Sequence, residues 1–306
     1  RHTVHHGGAR AGMVEIRHET VTANGVQLHV ARAGAGRPLV LLHGWPEFWL
    51  TWEPVMARLA DRFSLIAPDL RGFGASEKPD PGPSDRAGPE VHAADLTGLL
   101  DALGLERVGV VAHDVGASVG QALGRANPDR LTGLFFFDCP YPGIGPRLAR
   151  PEMLAEIWYQ SFHLKPFAAG VVGASRESCR AYIGHFLRHW AGGNPSAFDD
   201  VLDAFTDNFL VPGNLQGGFN WYLSQQAGRL AMVRDEAPAL PPIRVPTCIR
   251  WGTRDPLFPY EWTDRLGETF SDLDLAPFEE TGHFPHRERP DQAAEAIATF
   301  FGRLAG

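Results

Sequence analysis

The chain has no apolar run approaching the roughly 20 residues that a membrane-spanning helix requires, although hydrophobic residues make up 44% of its 306 positions. That absence argues against an integral helical membrane protein. Runs of lysine or arginine are missing too. The 28 basic residues are scattered among 36 acidic ones, for a net charge of −8, so nothing in the chain tracks a phosphate backbone, and nucleic acid is excluded as a partner. Cysteine is scarce. Cys139, Cys179 and Cys248 are odd in number and widely spaced, which yields neither a disulfide framework nor a zinc pattern and reads as reduced thiols in a cytoplasmic protein. Residues 1–12 lack the apolar core of a secretory signal. This His-, Gly- and Arg-rich stretch reads as a disordered extension or an expression remnant, in which His2, His5 and His6 would bind metal only adventitiously.

What the chain does contain is an alternation of apolar strand patterns with helical ones. Residues 26–31 read as an early strand, 38–42 and 63–67 as buried strands, 91–103 as a helix, and 108–112 and 131–137 as two more buried strands. Such alternation predicts an α/β fold, a mostly parallel sheet flanked by helices. The pattern then stops. Residues 142–241 form helical segments rich in aromatics, and the βα pattern resumes with strands near 247–251 and 273–278 and helices near 261–269 and 291–301. The length suits one large core carrying an insertion, so the expected organisation is a core of residues 13–141 and 242–306 with a helical cap at 142–241.

The chemistry-bearing residues fall at the strand ends, where open α/β sheets place their ligands. Asp114, in His113-Asp114-Val115, lies at a sharp strand-to-helix turn between the strand at 108–112 and a helix at 117–125. A bare reading makes it a helix cap. A carboxylate there is also ionised at neutral pH and can displace at saturated carbon, whereas serine needs a base and suits acyl carbons. His283 is suited to act as a base, and either Asp255 or Asp138 could orient it. The turn His43-Gly44-Trp45-Pro46 ends an earlier strand; His43 is expected to brace it. Asp69 and Arg71 read as a structural ion pair, and Glu47 as a charge at the rim that leaves aromatic lining to Trp45, Phe48 and Trp49.

The order nucleophile, acid, histidine, together with these motifs, resembles the α/β-hydrolases of the epoxide hydrolase and dehalogenase group. The resemblance covers nearly the whole chain after Met13. It implies an α/β-hydrolase fold, an Asp114 alkyl-ester intermediate, and backbone N–H donors at Trp45 and Val115 for the oxyanion formed in ester hydrolysis. It favours Asp255 over Asp138 as the partner of His283. Trp158-Tyr159-Gln160 and Asn220-Trp221-Tyr222 resemble the two cap segments that carry epoxide-binding tyrosines, which implies that Tyr159 and Tyr222 hold the epoxide oxygen, with Tyr182 the weaker candidate. Phe48, Trp221 and Phe284 are the expected substrate-lining residues.

Epoxide opening and dehalogenation begin with the same displacement. Fluoroacetate dehalogenases carry arginines at the positions held here by Val115 and Ser118, and haloalkane dehalogenases usually have tryptophan at the position of Val115. The expected activity is therefore epoxide hydrolysis to a vicinal diol, on a small, apolar epoxide with water as co-substrate and no cofactor or metal, by a monomer or homodimer. A haloacid or haloalkane dehalogenase is the alternative. A receptor reusing the fold is a reading of a different class, and Ser118 gives a serine esterase no route to the base.

Overall fold

The computed structural model describes residues 14–304; the 1–12 stretch and its three histidines lie outside the described residues. Strands β1 (Arg17–Ala23), β2 (Val26–Ala33), β3 (Arg37–Leu42), β4 (Phe63–Pro68), β5 (Val108–His113), β6 (Leu131–Phe137), β7 (Thr247–Gly252) and β8 (Leu273–Phe278) form one sheet. Its order is β1-β2-β4-β3-β5-β6-β7-β8. Pairing is parallel from β4 through β8, and only β2 runs antiparallel to its neighbours. Helices α1 (Glu53–Leu59), α2 (Pro89–Ala102) and α3 (Val115–Ala126) connect β3 to β6. Helices α4 (Leu154–Phe162), α5 (Ala168–Val172), α6 (Arg176–His189), α7 (Leu202–Leu210) and α8 (Asn214–Val233) lie between β6 and β7. Helices α9 (Leu266–Thr269), α10 (Pro285–Glu288) and α11 (Pro290–Arg303) complete the chain.

The expected mostly parallel α/β architecture is present, and its cause is visible in the strands. All six residues of β5 are buried, as a strand covered on both faces requires. By contrast β1 and α1 were not expected. Strand β1, RHETVTA, is exposed along most of its length, so it carries no apolar signal. The Asn24-Gly25 turn, with φ of 50° and 76°, is the I′ hairpin type that pins it to β2.

Strands β4 and β5 leave β3 on opposite sides, which opens a crevice at the carboxyl ends of β3 and β5. Into it project the turn after β3 and the turn between β5 and α3. The helix starts close against the sheet because Gly116 has no side chain: a Cβ there would sit 2.4 Å from the Leu42 carbonyl oxygen and 2.7 Å from that of His43. Gly116→Ala should therefore cost about 1–3 kcal/mol of stability in urea unfolding, the usual range for overpacking against rigid neighbours. A loss below about 0.5 kcal/mol would show that the crossing is slack.

Candidate active site

The turn from β5 into α3 holds Asp114 at φ 52° and ψ −116°, a conformation that a non-glycine residue keeps only where its surroundings enforce it. The side chain is thereby pushed up to the β3 turn. Gly44 must be glycine for this approach, since a Cβ would lie 2.5 Å from the Asp114 Cβ. The Trp45 backbone N–H donates to Asp114 Oδ2 at 3.1 Å, and Val115, the first residue of α3, sits beside the same carboxylate.

His283 is fully buried. Its Nδ1 meets Asp255 Oδ2 at 2.7 Å, and its backbone N–H donates to the Trp190 carbonyl at 2.8 Å. The other Asp255 oxygen accepts from the backbone N–H groups of Leu257 and Phe258 at 2.8 and 3.0 Å. Nε2 has no hydrogen-bond partner among the described residues and lies 3.7 Å from Asp114 Oδ1. Asp138 stands one step back. It accepts from the Gly252 N–H at 3.0 Å and bonds to Asp255; burial and the Asp255 charge raise its pKa well above the usual range, so it is the protonated partner and donates to Asp255. Asp255, not Asp138, touches the histidine.

Tyr159 and Tyr222 stand over Trp45. The Tyr159 ring stacks on the indole at 5.7 Å and 5°, Tyr222 meets it edge-on at 5.8 Å, and the two tyrosine rings are 5.7 Å apart. Tyr182 differs, because its hydroxyl is engaged by His163 Nε2 at 2.6 Å. Phe48 packs on Phe205 of α7, Phe284 on the His283 and His113 rings, and Trp221 on His92 of α2, apart from the group around Trp45. His43 braces the β3 turn as expected, bonding to the Gly44 carbonyl and accepting the Leu70 N–H.

Two expectations are corrected. Asp69 and Arg71 do not pair: Arg71 forms a two-pronged ion pair with Asp95 of α2 at 2.7 and 2.8 Å, while Asp69 accepts from the Trp49 and Ala75 N–H groups and pairs with His29. Glu47 is not at a rim either. It is fully buried, accepting from the Gly44 N–H at 3.0 Å and meeting His113 Nδ1 at 2.6 Å, His286 Nε2 at 2.8 Å and the Thr51 hydroxyl.

The Glu47 group was missed at the sequence level, although each member abuts a recognised motif: Glu47 follows Pro46, His113 precedes Asp114, and His286 is three past His283. His113 Nε2 faces the His283 carbonyl oxygen at 2.6 Å while Nδ1 faces Glu47. A carbonyl only accepts, so Nε2 donates to His283 and Nδ1 is left to face the carboxylate. Burial alone would raise the Glu47 pKa, but His113 and His286 hold it well below the usual carboxylate range; burial keeps His286 neutral, at about 4. Glu47, His113 and His286 each offer an atom within 4.8 Å of the others, as do Asp138, Asp255 and His283. In both groups these atoms are already bonded to one another, so a metal ion would have to displace existing bonds.

A parallel sheet crossed at a nucleophile-type turn, with an acid and a histidine on later strand ends, defines an α/β-hydrolase, and the chain belongs to that family: the alpha/beta hydrolase fold matches residues 37–290. Within it the chain groups with the epoxide hydrolases. It is 32% identical over 301 residues to the soluble epoxide hydrolase of Corynebacterium sp. (strain C12), covering 95% of this chain and 99% of that one. It is 30% identical to epoxide hydrolase A of Mycobacterium tuberculosis (strain ATCC 25618 / H37Rv), covering 93% and 97%. The solved structure of epoxide hydrolase CorEH without ligand superposes with a TM-score of 0.80 at 28% identity, over 94% of this chain and 99% of that one.

Burial alone would lower the His283 pKa, but Asp255 and Asp114 outweigh it and raise it from 6.5 to about 10. The resulting stability is fully present below 6.5 and is lost as pH rises through about 10. Urea unfolding across that window should show the loss, and Asp114→Asn, which removes one of the two charges, should move it to lower pH. Identical profiles would show that Asp114 does not bear on this titration. Glu47→Leu, which leaves His113, His286 and the Gly44 N–H without their buried acceptor, should cost about 3–5 kcal/mol in the same assay.

Proposed function

We propose that this chain hydrolyses epoxides to vicinal diols, with residues 142–241 as a cap over a core of 13–141 and 242–306. The observation that carries the reading is an ionisable carboxylate at the β5–α3 turn, within 3.7 Å of an Asp-supported histidine and beneath two tyrosines. Asp114 attacks a ring carbon from behind; the C–O bond breaks, its electron pair stays on oxygen, and Tyr159 or Tyr222 delivers the proton. Water then attacks the ester carbonyl carbon of Asp114, giving a proton to His283 Nε2, while the Trp45 and Val115 N–H groups hold the oxyanion. Collapse breaks the bond to the diol oxygen, which takes its proton from His283 and leaves Asp114 as the carboxylic acid; the acid then gives its remaining proton to the now neutral His283, which restores the carboxylate and the protonated histidine.

The charge order explains the timing. While Asp114 is ionised, it and Asp255 keep His283 protonated. Esterification removes the Asp114 charge, so the histidine loses a reason to hold its proton just when a base is required. That proton, passed through solvent, restores the tyrosinate left by ring opening. The protonated Asp138 stabilises Asp255 as the charged member of the pair. A small-molecule epoxide and water are the only reactants, and among the described residues no helix is long and apolar enough to cross a membrane. The cysteines are free and buried, which supports a reducing, cytoplasmic setting.

Product analysis with styrene oxide, fluoroacetate and a bromoalkane tests the reading. Diol from styrene oxide is expected, absent in Asp114→Asn, and His283→Gln should accumulate one covalent adduct per chain without turnover. Halide release without diol would transfer the function to dehalogenation.

A further inference from the structure

We propose that Gln160 and Arg229 form a positioning relay that aims the Tyr159 hydroxyl proton at the epoxide oxygen; the inference rests on the epoxide hydrolase reading above. The argument begins with donors and acceptors. Arg229 Nη1 donates to Gln160 Oε1 at 3.1 Å. A guanidinium has only donors, so the amide oxygen must face it, and the amide nitrogen is thereby turned to the Tyr159 oxygen, 3.2 Å away. An amide N–H can only donate. The Tyr159 oxygen must accept that bond, and its own proton cannot point at Gln160. It is left for an acceptor on the open side of the ring.

Arg229 also reaches the second tyrosine. Its Nη2 donates to the Tyr222 carbonyl at 3.2 Å, and its guanidinium carbon lies 5.8 Å from the Tyr222 ring centroid, within cation–π range. One cation on α8 therefore serves both candidate proton donors, Tyr222 directly and Tyr159 through Gln160. No carboxylate among the described residues acts on it; the neighbours that favour its charge are Tyr159 and Tyr222. A half-buried cation without a counter-ion carries a desolvation cost, and this one stands where a phenolic oxygen gains negative charge as it gives up its proton. Burial and the Asp114 charge make both tyrosines weaker acids, and Arg229 opposes them. Tyr182, whose hydroxyl is tied to His163, has no such arrangement.

Gln160→Glu separates this role from a merely structural one. The new carboxylate would pair with Arg229 and hold the cap together at least as well, but it would accept the Tyr159 proton instead of donating to its oxygen. The measurement is the rate at which styrene oxide adds its mass to Asp114 in a His283→Gln background, which isolates ring opening from ester hydrolysis. Gln160→Glu should slow this step on the order of 100-fold, matching Tyr159→Phe, with urea stability unchanged or raised. Arg229→Gln should slow it on the order of 10-fold, and Arg229→Lys, which keeps a cation but not the fork, should fall between. Ester hydrolysis, followed separately with His283 intact, should be unchanged. Labelling by Gln160→Glu within about 2-fold of the parent, or a loss matched by loss of folded protein, would overturn the relay. A wild type that makes no diol, with a parent that takes no label, would instead overturn the epoxide hydrolase reading, and the relay with it.

Discussion

The buried contact between Glu47 and His113 is the constraint on which the site depends. One carboxylate oxygen receives the Gly44 N–H and faces His113, and the far nitrogen of that ring faces the carbonyl of His283. Three loops from distant parts of the chain are thus joined through one pair: the turn after β3, the strand end that carries Asp114, and the loop that carries His283. Removing a carboxylate from water carries a desolvation penalty of several kcal/mol, offset here because its oxygens bond to the Gly44 N–H, the Thr51 hydroxyl and the His113 and His286 rings. An apolar trio of similar volume could pack as well. It could not fix where the Gly44 N–H and the His283 carbonyl point, and those directions set the distance between Asp114 and His283.

Beyond that frame the polar groups alternate in charge from the protein interior outward. Protonated Asp138 donates to ionised Asp255, which holds His283, which faces Asp114. Along this line each neighbour stabilises the state of the next. The break in the sequence is the 3.7 Å between His283 Nε2 and Asp114 Oδ1, longer than a hydrogen bond and the one point where the order responds to chemistry. Everything behind it is fixed by backbone donors: Leu257 and Phe258 on Asp255, Gly252 on Asp138.

Much of this was legible because strand ends in a parallel sheet are marked by an apolar run meeting a polar motif. Asp114, Asp255 and His283 could be read that way, and they meet. Strand β1 could not, since an edge strand exposed on both faces has the polarity of a loop. Glu47 was misplaced for a different reason: a charged residue after a Gly-Trp-Pro turn has the same sequence signature whether it points to solvent or folds beneath the turn. What decides is the presence of His113 and His286 below, and both come from remote segments. The Asp69–Arg71 error is similar. Sequence proximity suggested a pair, but Asp95 of α2 offered the arginine a two-pronged partner that proximity could not reveal.

The placement of Tyr222 follows from two glycines rather than from the aromatic residues around it. Helix α8 meets the core with its backbone: a Cβ on Gly217 would lie 1.9 Å from the Gly72 carbonyl oxygen, and one on Gly218 would lie 3.0 Å from the Trp45 ring. With no side chains to hold it off, the helix lies flush against the turn that supplies the Trp45 N–H. Tyr222 is four residues past Gly218 and therefore on the same helical face, which brings its ring to 5.8 Å from the same indole. Trp221, one residue earlier, is turned about 100° away and packs on His92 of α2. The two neighbours could not both face Trp45, so once the glycines fix the helix face, Tyr222 is the one that overlooks Asp114 and Trp221 is the one that anchors the helix.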